Sequence, residues 1–197
     1  MRKIIFIGLC VLVFSCSNTY QEIQNTDNDY QIIPKPEKLT IAKGRFLLST
    51  YTKIICTKSL TQEAAYLSSL LSSHLGFELA VDSSATTKGN IVLKLDATIE
   101  NTEGYELSVK YDAIVISGKT TAGIFYGIQS LRQLLPAEIE NKVNHTEELT
   151  IPAVEIIDSP RYAYRGMHLD VGRHFFPVAS VKKYIDLIAM HKMNTFH

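Results

Sequence analysis

The order of apolar periods along the chain predicts two folded parts. The first is an α+β domain, a small mixed sheet with two helices on one face; the second is the opening strand, helix and strand of an alternating β/α fold. Three observations carry the prediction. Two stretches, residues 59–75 and 120–135, repeat their apolar side chains at helical intervals. Short alternating apolar runs lie before, between and after them, as half-buried strands do. From Arg165 to His197 a β-type run, a helical period and a second β-type run follow one another.

The first residues belong to neither part. Arg2-Lys3 precede an apolar run over residues 4–14 that is too short to span a bilayer and has the length of the hydrophobic region of a secretory signal. The run ends Val13-Phe14-Ser15-Cys16, which resembles a bacterial lipobox with Cys16 as the lipidated residue; Cys10 fits worse because Leu9 stands where a small residue is needed. The plainer alternative is ordinary cleavage near Ser15 or Ser17 with no lipid. Residues 1–16 are therefore expected to be a lipoprotein signal peptide and lipobox. The protein would be exported to the periplasm, outer membrane or cell surface and touch the membrane through its lipid anchor alone. Residues 17–30 are polar and aperiodic and predict a flexible tether without secondary structure.

The α+β domain is expected over residues 31–158. Pro34 and Pro36 favour extended backbone. Residues 39–41 and 46–48 read as two short strands around a Lys43-Gly44 turn, and Lys53-Ile54-Ile55-Cys56 as a buried strand whose free thiol packs as a small apolar group. In the first helix Ser59 and Gln62 have capping-box spacing, Ala64, Leu67, Leu71 and Leu75 form the stripe, and Gly76 suits a left-handed cap. Ile91, Leu93 and Leu95 alternate in a strand opened by Gly89-Asn90. Residues 106–110 and 113–117 form a hairpin through Tyr111-Asp112, with Leu107, Val109, Ile114 and Ile116 on the face toward the helices. The second helix has a threonine cap, a stripe of Ile124, Ile128, Leu131 and Leu135, and Pro136 as its stop. Its Gly123 and Gly127 each cost about 1 kcal/mol relative to Ala, which implies close packing on the sheet. After a polar stretch, Leu149–Asp158 is extended, and Asp158-Ser159-Pro160 marks the boundary to the second part, residues 159–197. There a strand over 165–171, a loop, a helix over 178–192 with Val181, Ile185 and Ile188 inward, and a strand from Thr195 are expected.

Composition narrows the partners. Twenty Lys and Arg balance 20 Asp and Glu, so a nucleic-acid partner is not expected. From Pro160 onward six Lys or Arg stand against two Asp or Glu. Besides Cys16, only Cys56 would remain in a processed chain, so no disulfide framework is implied. His168, His174, His191 and His197 have neither paired-histidine helical spacing nor cysteine companions, and no metal or cofactor is expected.

Ile32-Ile33-Pro34-Lys35-Pro36, the run from Glu103 to Leu107 with that from Thr121 to Pro136, and the run from Tyr164 to Pro177 with that from Lys192 to His197 are three stretches that resemble glycoside hydrolase family 20, the β-N-acetylhexosaminidases. Ile32-Ile33-Pro34-Lys35-Pro36 resembles the opening of that family's non-catalytic N-terminal domain. Glu103-Gly104-Tyr105-Glu106-Leu107 and Thr121-Ala122-Gly123-Ile124-Phe125-Tyr126-Gly127-Ile128-Gln129-Ser130-Leu131-Arg132-Gln133-Leu134-Leu135-Pro136 resemble that domain's strand and last helix. Tyr164-Arg165-Gly166, Leu169-Asp170-Val171-Gly172-Arg173-His174-Phe175-Phe176-Pro177 and Lys192-Met193-Asn194-Thr195-Phe196-His197 resemble the start of its catalytic (β/α)8 TIM barrel.

The resemblance implies retaining, substrate-assisted hydrolysis of terminal N-acetylglucosamine or N-acetylgalactosamine from glycans. The sugar's 2-acetamido oxygen attacks the anomeric carbon, an aspartate orients it, and an adjacent glutamate protonates the leaving oxygen. No Asp-Glu dipeptide occurs in the chain, and Glu147-Glu148 lie in the polar stretch as a solvated loop. The resemblance also implies a Trp-His-Leu continuation beyond His197. The chain is thus expected to be an N-terminal fragment, inactive by itself, with no catalytic residue and one substrate-binding residue. That residue is Arg173, which matches the family arginine on the sugar's far hydroxyls. Its fork of donors can hold two adjacent oxygens; the alternative is an ion pair with Asp170. Arg165 and Asp170 are expected to fix the strand end, His168 to pack inside the barrel and His174 to support the loop. A different reading is a non-catalytic lipoprotein that binds glycans or a partner. If the chain is a fragment, Met167, Leu169 and Ile188 should be exposed and proteolysis should trim the chain to about Asp158.

Overall fold

The computed structural model describes residues 25–84, 86–136 and 149–197. The expected signal peptide with Cys16, the first part of the expected tether and Glu147-Glu148 lie outside the described residues.

Seven strands form one mixed sheet in the order β1 (Lys38–Leu48), β7 (Leu149–Asp158), β5 (Tyr105–Lys110), β6 (Ala113–Gly118), β4 (Ile91–Leu95), β2 (Ile54–Cys56), β3 (Val81–Asp82). The β1, β7, β5, β6 side pairs antiparallel, whereas β6, β4, β2 and β3 run parallel. Helices α1 (Thr61–Leu75) and α2 (Thr121–Gln133) contact each other and share one core with the sheet. The predicted alternation explains this layer. Leu107, Val109, Ile114 and Ile116 are fully buried opposite one another across β5 and β6, and Leu67, Leu71, Ile124, Ile128 and Leu131 fill the space above them.

Several local expectations change. The two short strands about Lys43-Gly44 are one strand, β1, with a register shift between Ile41 and Arg45 where Gly44 takes φ +91°. A bulge absorbs the left-handed residue and pairing with β7 resumes beyond it. Leu95 is exposed because β4 ends there. Ser59 does not cap α1: a 3-10 turn, Lys58–Leu60, precedes the helix, and the Ser59 hydroxyl bonds that of Thr57. The other caps hold as read, with Gly76 left-handed at φ +71° and the Thr120 hydroxyl accepting from the Ala122 amide. Gly123 and Gly127 do pack on the sheet layer. A Cβ on Gly123 would strike the Gly104 carbonyl oxygen, and one on Gly127 the Ile116 side chain.

The tether expectation needs correction at its C-terminal end. Residues 25–30 are anchored, with a 3-10 helix at Asp27–Tyr30. Burial drives this: Tyr30 and Ile32 enter the core, the Tyr30 hydroxyl donates to the Ala153 carbonyl at 2.7 Å, and Arg45 pairs with Asp29 at 3.1 Å.

The second part is a parallel pair, β8 (Gly166–Met167) and β9 (Thr195–Phe196), connected by α3 (Val178–Met190). β8 is shorter than the predicted run 165–171, although Leu169 N–H still donates to the His197 carbonyl. Ile188 is buried, as the inward stripe predicts and against the exposure expected of a fragment, whereas Ile185, also expected inward, is exposed. The end of α3 meets the first domain, where Gln133 of α2 donates to the Met190 carbonyl at 3.4 Å while also bonding both backbone groups of Ile33. The helix stops in a Schellman arrangement. Lys192 N–H donates to the Ala189 carbonyl and Met193 N–H to that of Ile188. Lys192 occupies the left-handed position, φ +58°, where glycine is favoured; this costs a residue with a Cβ about 1 kcal/mol.

Candidate functional site

The loop after β8 carries the residue selected from sequence. Asp170 organises it, its carboxylate accepting from the amides of Gly172 at 2.9 Å and Arg173 at 3.0 Å. The second carboxylate oxygen lies 3.4 Å from the Arg173 guanidinium, whose side chain is 92% exposed. So exposed a pair contributes little. The alternative ion pair is therefore present, yet it leaves most of the guanidinium's donors facing solvent at the C-terminal end of β8. Asp170 fixes the loop after the strand. His168 is exposed beside His197, ring centroids 5.1 Å apart, because the described strands do not enclose it. His174 sits edge-on to Phe176 at 5.1 Å within the loop.

At the opposite ends of the two strands lies a group that sequence reasoning did not assemble. Arg165 reaches back to Glu103, its two terminal nitrogens 3.0 and 2.9 Å from the two carboxylate oxygens. Glu103 also accepts from the Tyr126 hydroxyl at 3.0 Å and from Asn194 at 3.3 Å. Arg165 further donates to the Lys192 and Tyr162 carbonyls. The Arg165 bonds hold the Glu103 carboxyl below its ordinary range, and the same bonds raise Arg165. A depressed carboxyl stabilises the fold above its unfolded pKa, and that contribution is lost as pH falls through the folded value. Burial, with Glu103 nearby, pushes the Tyr126 phenol up.

A second cluster is more deeply buried. The Lys192 ammonium, on a side chain 7% exposed, lies 3.2 Å from Asp158 and 2.7 Å from the Tyr105 hydroxyl. Tyr105 donates its one proton to Asp158 at 2.8 Å, so the Ser130 hydroxyl, 2.6 Å away, must be the donor to Tyr105. Burial drives the Tyr105 phenol well above its ordinary value. Burial also lowers Lys192, with Asp158 opposing the shift. Both clusters border a cavity of about 740 Å³ at the junction of the two parts, which Lys35, Glu37, Arg161 and Tyr162 also line. From sequence, Asp158 marks a boundary, Lys192 a helix end and Glu103 a family motif. The signal available is that each lies at or just beyond a strand or helix end, where a charge can turn toward a neighbouring element.

Known proteins match along most of the chain. Residues 29–159 match the description "Glycosyl hydrolase family 20, domain 2", and residues 162–197 match "Glycosyl hydrolase family 20, catalytic domain". A β-hexosaminidase of Porphyromonas gingivalis is 35% identical over all of this chain and 26% of its own length. The GH20 β-N-acetylhexosaminidase of Streptomyces coelicolor superposes with a TM-score of 0.80 at 34% identity, over 86% of this chain and 34% of that one. The Streptomyces plicatus N-acetyl-β-hexosaminidase in complex with Thio-NAglucal gives 0.79 at 32% identity, over 89% of this chain and 35% of that one. The chain thus spans about a quarter to a third of the length of these relatives. From the match of both of its parts, this chain belongs to glycosyl hydrolase family 20.

Proposed function

We propose that this chain is the N-terminal part of an exported β-N-acetylhexosaminidase. Its residues 31–158 support the catalytic domain, and residues 159–197 open a (β/α)8 barrel. The observation that carries the reading is the position of Arg173, which offers its guanidinium at the C-terminal end of β8, the side on which barrel enzymes build their sites. There the fork would hold two adjacent hydroxyls of a terminal N-acetylhexosamine. The acetamido group of the sugar would act as nucleophile. An Asp-Glu pair would orient it and protonate the leaving oxygen; none occurs in these 197 residues, so we assign them no hydrolytic activity alone.

A chromogenic N-acetylglucosaminide tests this. The 197-residue chain should release no chromophore, and a longer polypeptide that begins with it should release it readily. Arg173→Ala in the longer protein should lower kcat/KM about tenfold to a hundredfold, the range for losing hydrogen bonds to a charged group. Release by the short chain, or none by the long one, would contradict the assignment.

Membrane attachment through Cys16 belongs to the same proposal and has its own check. The unaltered protein should sediment with membranes after expression in a bacterial host and Cys16→Ala should stay soluble; equal sedimentation of both would remove the anchor.

A further inference from the structure

Two cations stand just ahead of the two strands of the second part, and each reaches a carboxylate of the first domain. Arg165 precedes β8 and engages Glu103; Lys192 lies shortly before β9 and engages Asp158. The carboxylates are themselves held by the sheet. Asp158 ends β7 directly opposite Tyr105 in the pairing with β5, and Glu103 lies just ahead of Tyr105 on the same chain segment. Gly104, between them, is pinned by the approach of Gly123 on α2. The spacing of the two negative groups is therefore set before the second part is considered.

The second part meets that spacing at some expense. Lys192 adopts a left-handed backbone conformation that glycine would take freely, and it buries its ammonium to do so. Neither feature is needed to end α3, since glycine would serve that turn better. A strained residue kept in place by its side chain points to a role for the side chain. Arg165 is used equally fully. Its carbonyl accepts from the amides of Asn194 and Thr195, its own amide donates to Asn194, and its side chain bonds the Lys192 carbonyl, so one residue ties the starts of both strands together.

We propose that the first domain acts as a gauge for the β8–β9 pair: Glu103 and Asp158, at a separation fixed by the sheet, set the spacing and register of the two strands by gripping Arg165 and Lys192. These four are positioning residues for the backbone that carries Arg173. The inference goes beyond the hydrolase reading and holds whatever chemistry that loop performs.

Hydrogen exchange on the 197-residue chain tests it without reference to catalysis. The reporters are the amides of Leu169, Thr195 and His197, all bonded between the two strands; the amides of β5 and β6 are the control. Lys192→Gly should lower reporter protection about tenfold or more while the control stays protected, because local opening is governed by the contacts of that unit. Glu103→Arg should do the same, and adding Arg165→Glu to it should restore most of the protection. The proposal is overturned if Lys192→Gly leaves protection unchanged or raises it, as a residue that merely ends a helix would. It is also overturned if the reversed Glu103–Arg165 pair gives no recovery, or if control and reporter amides fall together.

Discussion

Asp158→Ala is expected to destabilise the chain by about 3–5 kcal/mol, the range for stripping a buried charge of its partner. For a chain of this size that lowers the melting temperature by about 10 °C. The loss comes chiefly from what is left behind. The Lys192 ammonium would remain buried with only the Tyr105 oxygen as acceptor, and Tyr105 would lose the acceptor of its own proton. The Glu37 amide, which donates to Asp158 at 3.2 Å, would be freed as well. Burial already lowers the Lys192 pKa and Asp158 opposes that, so the substitution should lower it further. A lysine whose folded pKa lies below its unfolded value penalises folding while protonated. The deficit should therefore shrink as pH rises through the folded pKa toward the ordinary lysine range. Thermal melts of the single and double variants at two pH values would measure this. Lys192→Met combined with Asp158→Ala should recover part of the loss, whereas strictly additive losses would show that the pair is not coupled.

The second large effect is expected from Gly123→Ala. In a solvent-facing helix this change gains about 1 kcal/mol. Here the new methyl would collide with the Gly104 carbonyl oxygen, and the Gly118 backbone lies 3.2 Å from the same point. Backbone cannot rotate away as a side chain can, so overpacking of about 1–3 kcal/mol or more should outweigh the helical gain. Circular dichroism melts should show a net loss. Contrast with Gly76→Ala separates the causes, since nothing lies within 4 Å of a Cβ there and only the φ of +71° resists substitution. A more stable Gly123→Ala variant would mean that α2 does not lie as close to the segment carrying Glu103 as described.

Much of the first domain was legible because its signals are local. Alternation in 106–117 names both the strands and their buried face, and the Gly123/Gly127 pair announces a close helix contact through residues poor in helix propensity. Legibility failed where a tertiary contact overrode a local signal. Asn25 to Tyr30 read as tether because five of six side chains are polar or charged, yet one buried tyrosine hydroxyl and an Arg45–Asp29 pair hold them. Ser59 has the right spacing for a cap, but the preceding turn keeps the helix start beyond its reach. At the site, Arg173 could be read from a motif since the role proposed for it needs only its own side chain and a loop. The Glu103–Arg165 and Asp158–Lys192 contacts join residues far apart in the chain, and no periodicity links them.

The bulge in β1 and the segment from Asn25 to Tyr30 meet at the edge of the sheet. Among the described residues β1 is an edge strand of the sheet, paired with β7, and an edge is the kind of rim that recruits a strand from another molecule. Asn25 closes part of it, its side-chain amide donating to the carbonyls of Ala42 at 2.9 Å and Gly44 at 2.8 Å, at the place where the left-handed glycine bends the strand. The stretch that leads into the fold thus also occupies carbonyls to which a strand of a second molecule would have to bond.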